Sequence, residues 1–438
     1  MQSTEHTRIV IVGGGAGGLE LATKLGHKLG KHEKASVTLV DRSRTHIWKP
    51  LLHEVATGTL DTEIDGVVYQ AHAAKHYFKF QYGSMCSLDR EQKRITLAAI
   101  PDEKGIVALP ERYVDYDILV IAIGSISNDF GTPGVADNCY MLDSQEQAQR
   151  FQRHLLTHFI QAAQNNASAE NSGKPAFKVA IVGAGATGVE LSAELQHIHE
   201  LLPVYIKDAD INTEISIDLI EAGPRILPAL PERISTAAAK ELEKLNVTIH
   251  TDTRITQVTE TAFIDADSTP IEANLKVWAA GVKVPSWVTK LGLETNNINQ
   301  IICEPTLASS SDQDIYAIGD CCHILSNGEK VPPRAQSAHQ MASLVAQNIV
   351  LRLKQKEERP FKYRDYGSLI NLSRFSTVGS LMGNLMKGSL FIEGLFARTM
   401  YLALYRMHQL AIYGYIKGPF IIILGKISKS IRPKMKLH

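Results

Sequence analysis

The sequence is short of cysteine, of net charge and of long apolar runs, and each shortage excludes something. Five cysteines in 438 residues (Cys86, Cys139, Cys303, Cys321 and Cys322) are too few and too scattered for a disulfide scaffold or a four-cysteine zinc site. A reducing, cytoplasmic compartment follows as the default. Lys plus Arg and Asp plus Glu both number 46, so the chain as a whole is no generic nucleic-acid binder. No uncharged apolar run reaches the roughly 18–20 residues that span a bilayer. Lys417 and Gly418-Pro419 interrupt the best candidate, residues 407–425. There is no HExxH or other metal-ligand spacing, and no metal is expected. A glycine turn begins at Gly13, leaving no room for a cleavable leader. Apolar residues at 44% and charged residues at 21% describe an ordinary globular chain. At about 100–200 residues per domain, its length predicts two to four domains.

What is present comes twice. Residues 8–12 (RIVIV) are a β-branched run followed by Gly13-Gly-Gly-Ala-Gly-Gly18 and LELATKL. Residues 177–182 (FKVAIV) are a second, followed by Gly183-Ala-Gly-Ala-Thr-Gly188 and VELSAEL. Each reads as buried strand, tight glycine turn and amphipathic helix. Each leads to another strand ending in an acid, Asp41 after 36–40 and Glu221 after 215–220. A lone GxGxxG is weak, but here its context is complete in both copies. The first glycine makes the turn, the second lets backbone approach a pyrophosphate, and the third brings helix and strand close. The helix N-terminus offers positive dipole to the phosphates, and the acid accepts from a ribose diol. The first site is therefore Gly13, Gly15, Gly18 and Asp41, and the second is Gly183, Gly185, Gly188 and Glu221. Residues 197–213 read as an insertion within the second. Two dinucleotide sites imply two nucleotide cofactors.

The segments around the copies also repeat. Residues 116–125 (YDILVIAIGS), carrying Gly124, are mirrored by 276–283 (KVWAAGVK), carrying Gly281. Residues 314–320 (DIYAIGD) form a further buried strand ending in Gly319-Asp320. A strand ending in Gly-Asp, returning to the first fold after an inserted domain, resembles the two-dinucleotide flavoproteins. That resemblance assigns FAD to the N-terminal site and NAD(P)H to the inserted one. Glu221 repels a 2′-phosphate and favours NADH, although Arg225 nearby softens the preference. The expected fold is α/β: two Rossmann-like dinucleotide-binding domains of that flavoprotein type plus a C-terminal amphipathic membrane-binding unit. The boundaries are 1–130 and 296–360 for FAD, 131–295 for NADH and 361–438 for the C-terminal unit.

The stretch after Asp41, His46-Ile-Trp-Lys-Pro-Leu-Leu-His53, holds no redox Cys-x4-Cys, and the vicinal Cys321-Cys322 reads as a pair of small buried residues. The segments HIWKPLLHEVATG (46–58), GVELSAEL (188–195), WAAGV (278–282), YAIGD (316–320) and AQSAHQ (335–340) resemble the type II NADH dehydrogenases. The resemblance runs on through residues 377–415 to the IRPKMKLH terminus, covers nearly the whole chain, and is strongest to the gammaproteobacterial branch. It implies a single-subunit NADH:quinone oxidoreductase that does not pump protons. NADH passes hydride to FAD, and two electrons then reach a membrane quinone, ubiquinone or menaquinone.

The resemblance also carries roles for particular residues. Glu190 corresponds to an acid near the nicotinamide. Gln336 and Gln340, i and i+4 on a helix beginning near Ala335, are suited to hydrogen-bond flavin or quinone oxygens. That helix N-terminus faces the flavin in the family and stabilises its anionic reduced form. Lys49 joins Gly124, Gly319, Asp320, Ala335 and Gln336 in the FAD set, Gly281 joins the NADH set, and Lys387 stands near the quinone entrance. His53 and His339 lie inside matched segments. An alternative is a soluble NAD(P)H-dependent flavin reductase of ferredoxin or another small acceptor.

From Lys387 to the end, nine cations face one acid, Glu393. Phe420, Ile423, Leu424, Ile427 and Ile431 form a helical stripe, with Lys426, Lys429, Arg432, Lys434 and Lys436 supplying basic surface. Such a helix lies in the membrane interface and is drawn to anionic lipid, and Tyr401, Tyr405, Tyr413 and Tyr415 suit headgroup depth. The reading is a monotopic protein on the cytoplasmic face of the cell membrane. A homodimer surface is the other use of the same residues.

Overall fold

The computed structural model describes residues 6–166, 177–205, 215–373, 376–382, 389–393, 407–414 and 417–431. The chain divides into two compact units, each discontinuous in sequence.

The first unit comprises Met1–Trp48, Gly66–Ile126 and Val282–Asp365. Its centre is the strand Thr7–Val12, whose last four residues are all buried. Burial on both faces is what an all-β-branched run needs, and it fits a parallel sheet covered by helices. Ala35–Asp41 pairs with it in parallel, Thr7 opposite Ala35 through Val12 opposite Val40. Ile118–Ile121 pairs on the other side, Ile9 opposite Ile118. Lys79–Tyr82 extends one edge. Asp312–Ala317 extends the other, with Ala308–Ser309 antiparallel beyond it. Six strands thus form one sheet, the fifth arriving only after a long excursion of the chain. The helices Ala16–Lys28 and Ala335–Leu353 pack on each other. Leu19, Leu21 and Leu25 are fully buried along the first, and each contributes about 1.5–3 kcal/mol by leaving water.

The second unit comprises Lys49–Asp65, Ser127–Gly281 and Tyr366–His438. Its parallel sheet runs Val247–His250, Ile215–Ile220, Phe177–Val182, Leu275–Trp278. This is the order of Lys79–Tyr82, Ala35–Asp41, Thr7–Val12 and Ile118–Ile121 in the first sheet, so the duplication read from sequence is one of topology. The helix after its glycine turn is longer, Ala186–Tyr205. Ile198 and Leu201 are buried on it, so the first part of the expected insertion continues the helix. The rest, 206–213, lies outside the described residues.

Gly367–Leu372, Ser376–Met382 and Ser389–Glu393 form an antiparallel sheet in the same unit. Ser389–Glu393 is extended, its conformation set by antiparallel pairing with Ser376–Met382 rather than by a weak local preference. Lys417–Ile431 is a helix as the apolar stripe predicts, with Pro419 tolerated in its first turn. No helix among the described residues is long and apolar enough to cross a membrane.

One glycine is a packing requirement with no bearing on ligands. A Cβ on Gly26 would lie 2.0 Å from the backbone oxygen of His76. Gly26→Ala is expected to cost about 1–3 kcal/mol, the range for overpacking. A thermal melt of the variant checks it, and an unchanged midpoint contradicts the close approach.

Candidate functional site

The first glycine turn leaves its key residues no freedom. Gly13 has φ +103°, and a Cβ there would lie 2.4 Å from the Ala122 oxygen. A Cβ on Gly18 would lie 1.8 Å from the Gly13 oxygen. Gly15 is different, since no atom lies within 4 Å of the position its Cβ would take. Backbone is pulled tight at two glycines and faces open space at the third, the shape that admits a pyrophosphate. Asp41 locks the turn. One carboxylate oxygen accepts from the Gly14 N–H at 2.5 Å, and the other accepts from the Ser43 N–H at 2.7 Å. Burial pushes Asp41 up, and these two amides oppose the shift.

The carbonyl of Gly14 is held as firmly as its amide. The Tyr69 hydroxyl donates to it at 2.7 Å, and His46 Nδ1 lies 2.9 Å away. Burial lowers the His46 pKa to about 4. The ring is therefore neutral at physiological pH, and a carbonyl partner places its proton on Nδ1. Sequence reasoning missed both roles. His46 at least stood in a matched segment, whereas nothing marked Tyr69.

The remaining first-unit residues gather around the same strand ends. Gly124 (φ +71°) has nothing within 4 Å of its Cβ position, and Gly319 (φ +75°) has only the Ala338 Cβ at 3.5 Å. The Asp320 carboxylate accepts from the Ser125 hydroxyl at 2.7 Å, and its backbone oxygen accepts from Gln300 Nε2 at 2.8 Å. Gln300 carried no sequence signal. Ala335 opens its helix after Arg334, with no side-chain cap. Gln336 donates to Asp365 at 3.2 Å, while Gln340 both donates to and accepts from the Arg364 backbone, at 2.8 and 3.0 Å. These glutamines share a helix face as expected, and both reach toward residues 364–365. His339 lies 2.6 Å from Glu20, which also meets Lys24 at 2.5 Å.

The second unit repeats the first turn. Gly183 has φ +102°, with its Cβ position 2.5 Å from the Ala280 nitrogen. The Gly188 Cβ position is 2.1 Å from the Gly183 oxygen, and Gly185 again faces open space. Glu221 accepts from the Ala184 N–H at 3.0 Å and from the Gly223 N–H at 2.9 Å. Arg225 donates to the Leu227 and Pro228 carbonyls, so its guanidinium is committed to its own loop. Gly281 (φ +60°) lies against the ring of Phe130.

Glu190 sits buried near the start of the second glycine helix. Its Oε1 accepts from the Asn371 N–H at 3.0 Å, and its Oε2 lies 3.8 Å from His53 Nδ1. Its neighbour Glu194 accepts from Thr59 at 2.7 Å. Burial raises the Glu190 pKa to about 8, the nearby Glu54 and Glu194 add to the shift, and the Asn371 amide opposes it. Burial also lowers His53, against the pull of Glu194. At neutral pH both groups are uncharged, and at 3.8 Å they form neither an ion pair nor a hydrogen bond.

Lys49 belongs to the second unit, 3.7 Å from Asp143. Lys387 lies outside the described residues, as do Tyr401, Tyr405, Tyr415, Arg432, Lys434 and Lys436. All five cysteines are free. Burial pushes Cys321 up to about 12, the setting of an inert thiol. Among the described residues, no group of three or more His, Cys, Asp or Glu could hold a metal ion.

The sequence profile of the pyridine nucleotide-disulphide oxidoreductases matches residues 7–342. The type II NADH:quinone oxidoreductase of Haemophilus influenzae is 47% identical over 442 residues, spanning 98% of this chain and 99% of that one. A protein of the same name from Staphylococcus aureus is 29% identical over 392 residues, spanning 88% and 92%. A solved structure of NDH2 from Plasmodium falciparum in complex with NADH shares the fold. Its TM-score is 0.81 at 21% identity, spanning 98% of this chain and 100% of that one. The sulfide:quinone oxidoreductase of Aquifex aeolicus shares it at a TM-score of 0.70 and 17% identity, spanning 98% and 96%.

The Glu190 environment has a measurable signature. A carboxyl raised from 4.5 to about 8 contributes stability that is complete below pH 4.5 and is lost as pH rises through 8. His53, lowered from 6.5, contributes with the opposite slope below that pH. Glu190 therefore acts alone between about pH 6.5 and 8, where stability is expected to fall by up to about 1.4 kcal/mol per pH unit. Denaturant unfolding of the wild type and Glu190→Gln across this range should show the slope in the first and its loss in the second. Parallel pH profiles contradict the assignment.

Proposed function

Because the chain belongs to the pyridine nucleotide-disulphide oxidoreductases, and among them to the type II NADH:quinone oxidoreductases, we propose that it oxidises NADH and reduces a membrane quinone through bound FAD. The observation that carries this reading is the duplicated turn, each copy locked by an acid on its own backbone amides. Two such turns serve two dinucleotides, as a hydride relay requires.

We assign FAD to the first unit. Gly13, Gly15, Gly18 and Asp41 would hold its adenosine and pyrophosphate. Gly124, Gly319, Asp320, Ala335 and Gln336 would hold the ribitol and flavin end, and Lys49, which the resemblance adds to this set, belongs to the second unit. The residues fit a long flat ligand, since Gly15 and Gly124 leave the space open. Bound FAD supplies a hydride acceptor and a two-electron donor. Gly183, Gly185, Gly188, Glu221 and Gly281 would take NADH, Glu221 accepting from the adenosine ribose. With Arg225 held by its own loop, no guanidinium from this turn is left to favour a 2′-phosphate.

Quinone reduction consumes two protons. Glu190 supports it by remaining protonated at neutral pH, its proton on Oε2 because Oε1 accepts from Asn371. Gln336, Gln340 and Lys387 complete the set assigned to the quinone and flavin, and whether the quinone is ubiquinone or menaquinone rests on apolar lining.

The C-terminal helix supports attachment to an anionic lipid surface on the cytoplasmic side. Phe420, Ile423, Leu424, Ile427 and Ile431 are each 52–79% exposed along Lys417–Ile431. An apolar stripe left to water on a cation-rich segment suits the headgroup boundary.

Anaerobic addition of one equivalent of NADH is expected to bleach the flavin band, and a short-chain quinone is expected to restore it. Bleaching without recovery would redirect the electrons to another acceptor. Glu221→Ala is expected to raise KM for NADH roughly tenfold, a hydrogen bond's worth, with KM for quinone unchanged. An unchanged KM for NADH moves the nucleotide site elsewhere.

A further inference from the structure

Phe130 stands out in the second unit as an aromatic side chain left in water by a loop that is otherwise tied down. The loop is anchored at both ends. Trp278 Nε1 donates to the Asn128 oxygen at 2.8 Å, and the Asn128 N–H donates to Gly281 at 3.4 Å. At the far end the Val258 N–H donates to Pro133 at 2.9 Å, and a Cβ on Gly134 would lie 2.0 Å from the Val258 oxygen. The Asn128 side-chain oxygen accepts from the Phe130 N–H at 3.0 Å and fixes the turn between them.

Within that frame Phe130 has φ +52° and is 65% exposed. A bulky side chain in the left-handed region costs energy, and exposing a phenyl ring recovers none of it. Packing therefore does not account for the residue. Strain that a fold holds in place without a packing return is typical of ligand clamps.

Its location indicates the ligand. The ring edge rests on Gly281, with Cζ 2.5 Å from where a Cβ would be. Gly281 follows Leu275–Trp278, the parallel neighbour of Phe177–Val182, and the neighbouring Ala280 closes against Gly183. Phe130 thus stands at the carboxyl ends of the strands, beside the glycine turn. Glu221 ends Ile215–Ile220, on the opposite side of Phe177–Val182. In such sheets the dinucleotide crosses the first strand, with its adenosine ribose at the strand-end acid. The side toward Leu275–Trp278 is left for the other half.

We propose that Phe130 is an aromatic platform that binds the nicotinamide half of the dinucleotide. The proposal rests on the reading of the second unit as the NADH site. The nicotinamide ring is flat and apolar on both faces, and an exposed phenyl ring held at fixed height offers it an offset stack. Gly281 is glycine partly because any Cβ would push the ring away.

The test uses the full-length flavin-loaded protein. The Kd for NADH is taken from the concentration dependence of anaerobic flavin bleaching, and that for ADP-ribose, which lacks the nicotinamide, from competition. Phe130→Ala is expected to raise the Kd for NADH roughly five- to tenfold while ADP-ribose stays within about twofold, the range for one aromatic stack. Phe130→Tyr should bind NADH as the wild type does. Phe130→Gly should show the same NADH defect while melting no lower than the wild type, because glycine relieves the left-handed strain. Unchanged NADH affinity in Phe130→Ala overturns the proposal, and so does equal weakening of NADH and ADP-ribose. If NADH fails to bleach even the wild type, the assignment of the second unit falls first and this inference falls with it.

Discussion

A carboxylate that hydrogen-bonds the amide just past a glycine turn organises both nucleotide folds. Asp41 does this for Gly14, and Glu221 for Ala184. The bond joins the end of the second strand to the start of the turn from the first, so strand order and loop shape become one constraint. It also fixes where the remaining peptide groups point. The Gly14 N–H is held by Asp41 and the Gly14 carbonyl by Tyr69 and His46, and the next residue, Gly15, faces open space.

The duplication also shows how one position diverges. Glu20 and Glu190 each stand two residues after the third glycine of their turn, and both are buried. Glu20 has Lys24 four residues on and His339 from the packed helix, so its charge is compensated. Glu190 has Glu194 at the corresponding place, and burial, with Glu54 and Glu194 adding to it, makes the neutral acid its cheapest state. One helical turn away, the neighbour has opposite sign in the two copies, Lys24 in the first and Glu194 in the second.

Much of this was legible because the constraints leave few choices of residue. Only glycine tolerates φ near +100° with another backbone atom within 2.5 Å, so Gly13 and Gly183 announce themselves. The strand-end acids were equally legible as positions, yet their backbone partners were not. Each reads as a ribose acceptor, and nothing in a sequence shows that its oxygens already hold the loop. Tyr69 was invisible for a related reason. A tyrosine in a short helix looks the same whether its hydroxyl meets water or a carbonyl 55 residues away. Gln340 shares the expected face with Gln336, but sequence could not show that Arg364 lies opposite. The sheet of Gly367–Leu372, Ser376–Met382 and Ser389–Glu393 was missed because its glycines and serines dilute the alternation that marks strands.

The order of strands in the first unit has a consequence for how the protein is made. Leu119 lies beside Ile315 in the finished sheet, although about 200 residues of chain separate them. At ~5–20 residues per second, a ribosome takes roughly 10–40 s to supply the missing strand. Through that interval Ile118–Ile121, paired with Thr7–Val12 on one side only, presents an open apolar edge, the kind that recruits other chains. The four-stranded sheet of the second unit, complete in sequence by Trp278, is available to form meanwhile. Completion of the first sheet therefore comes late in synthesis, after every strand of the second sheet has been supplied.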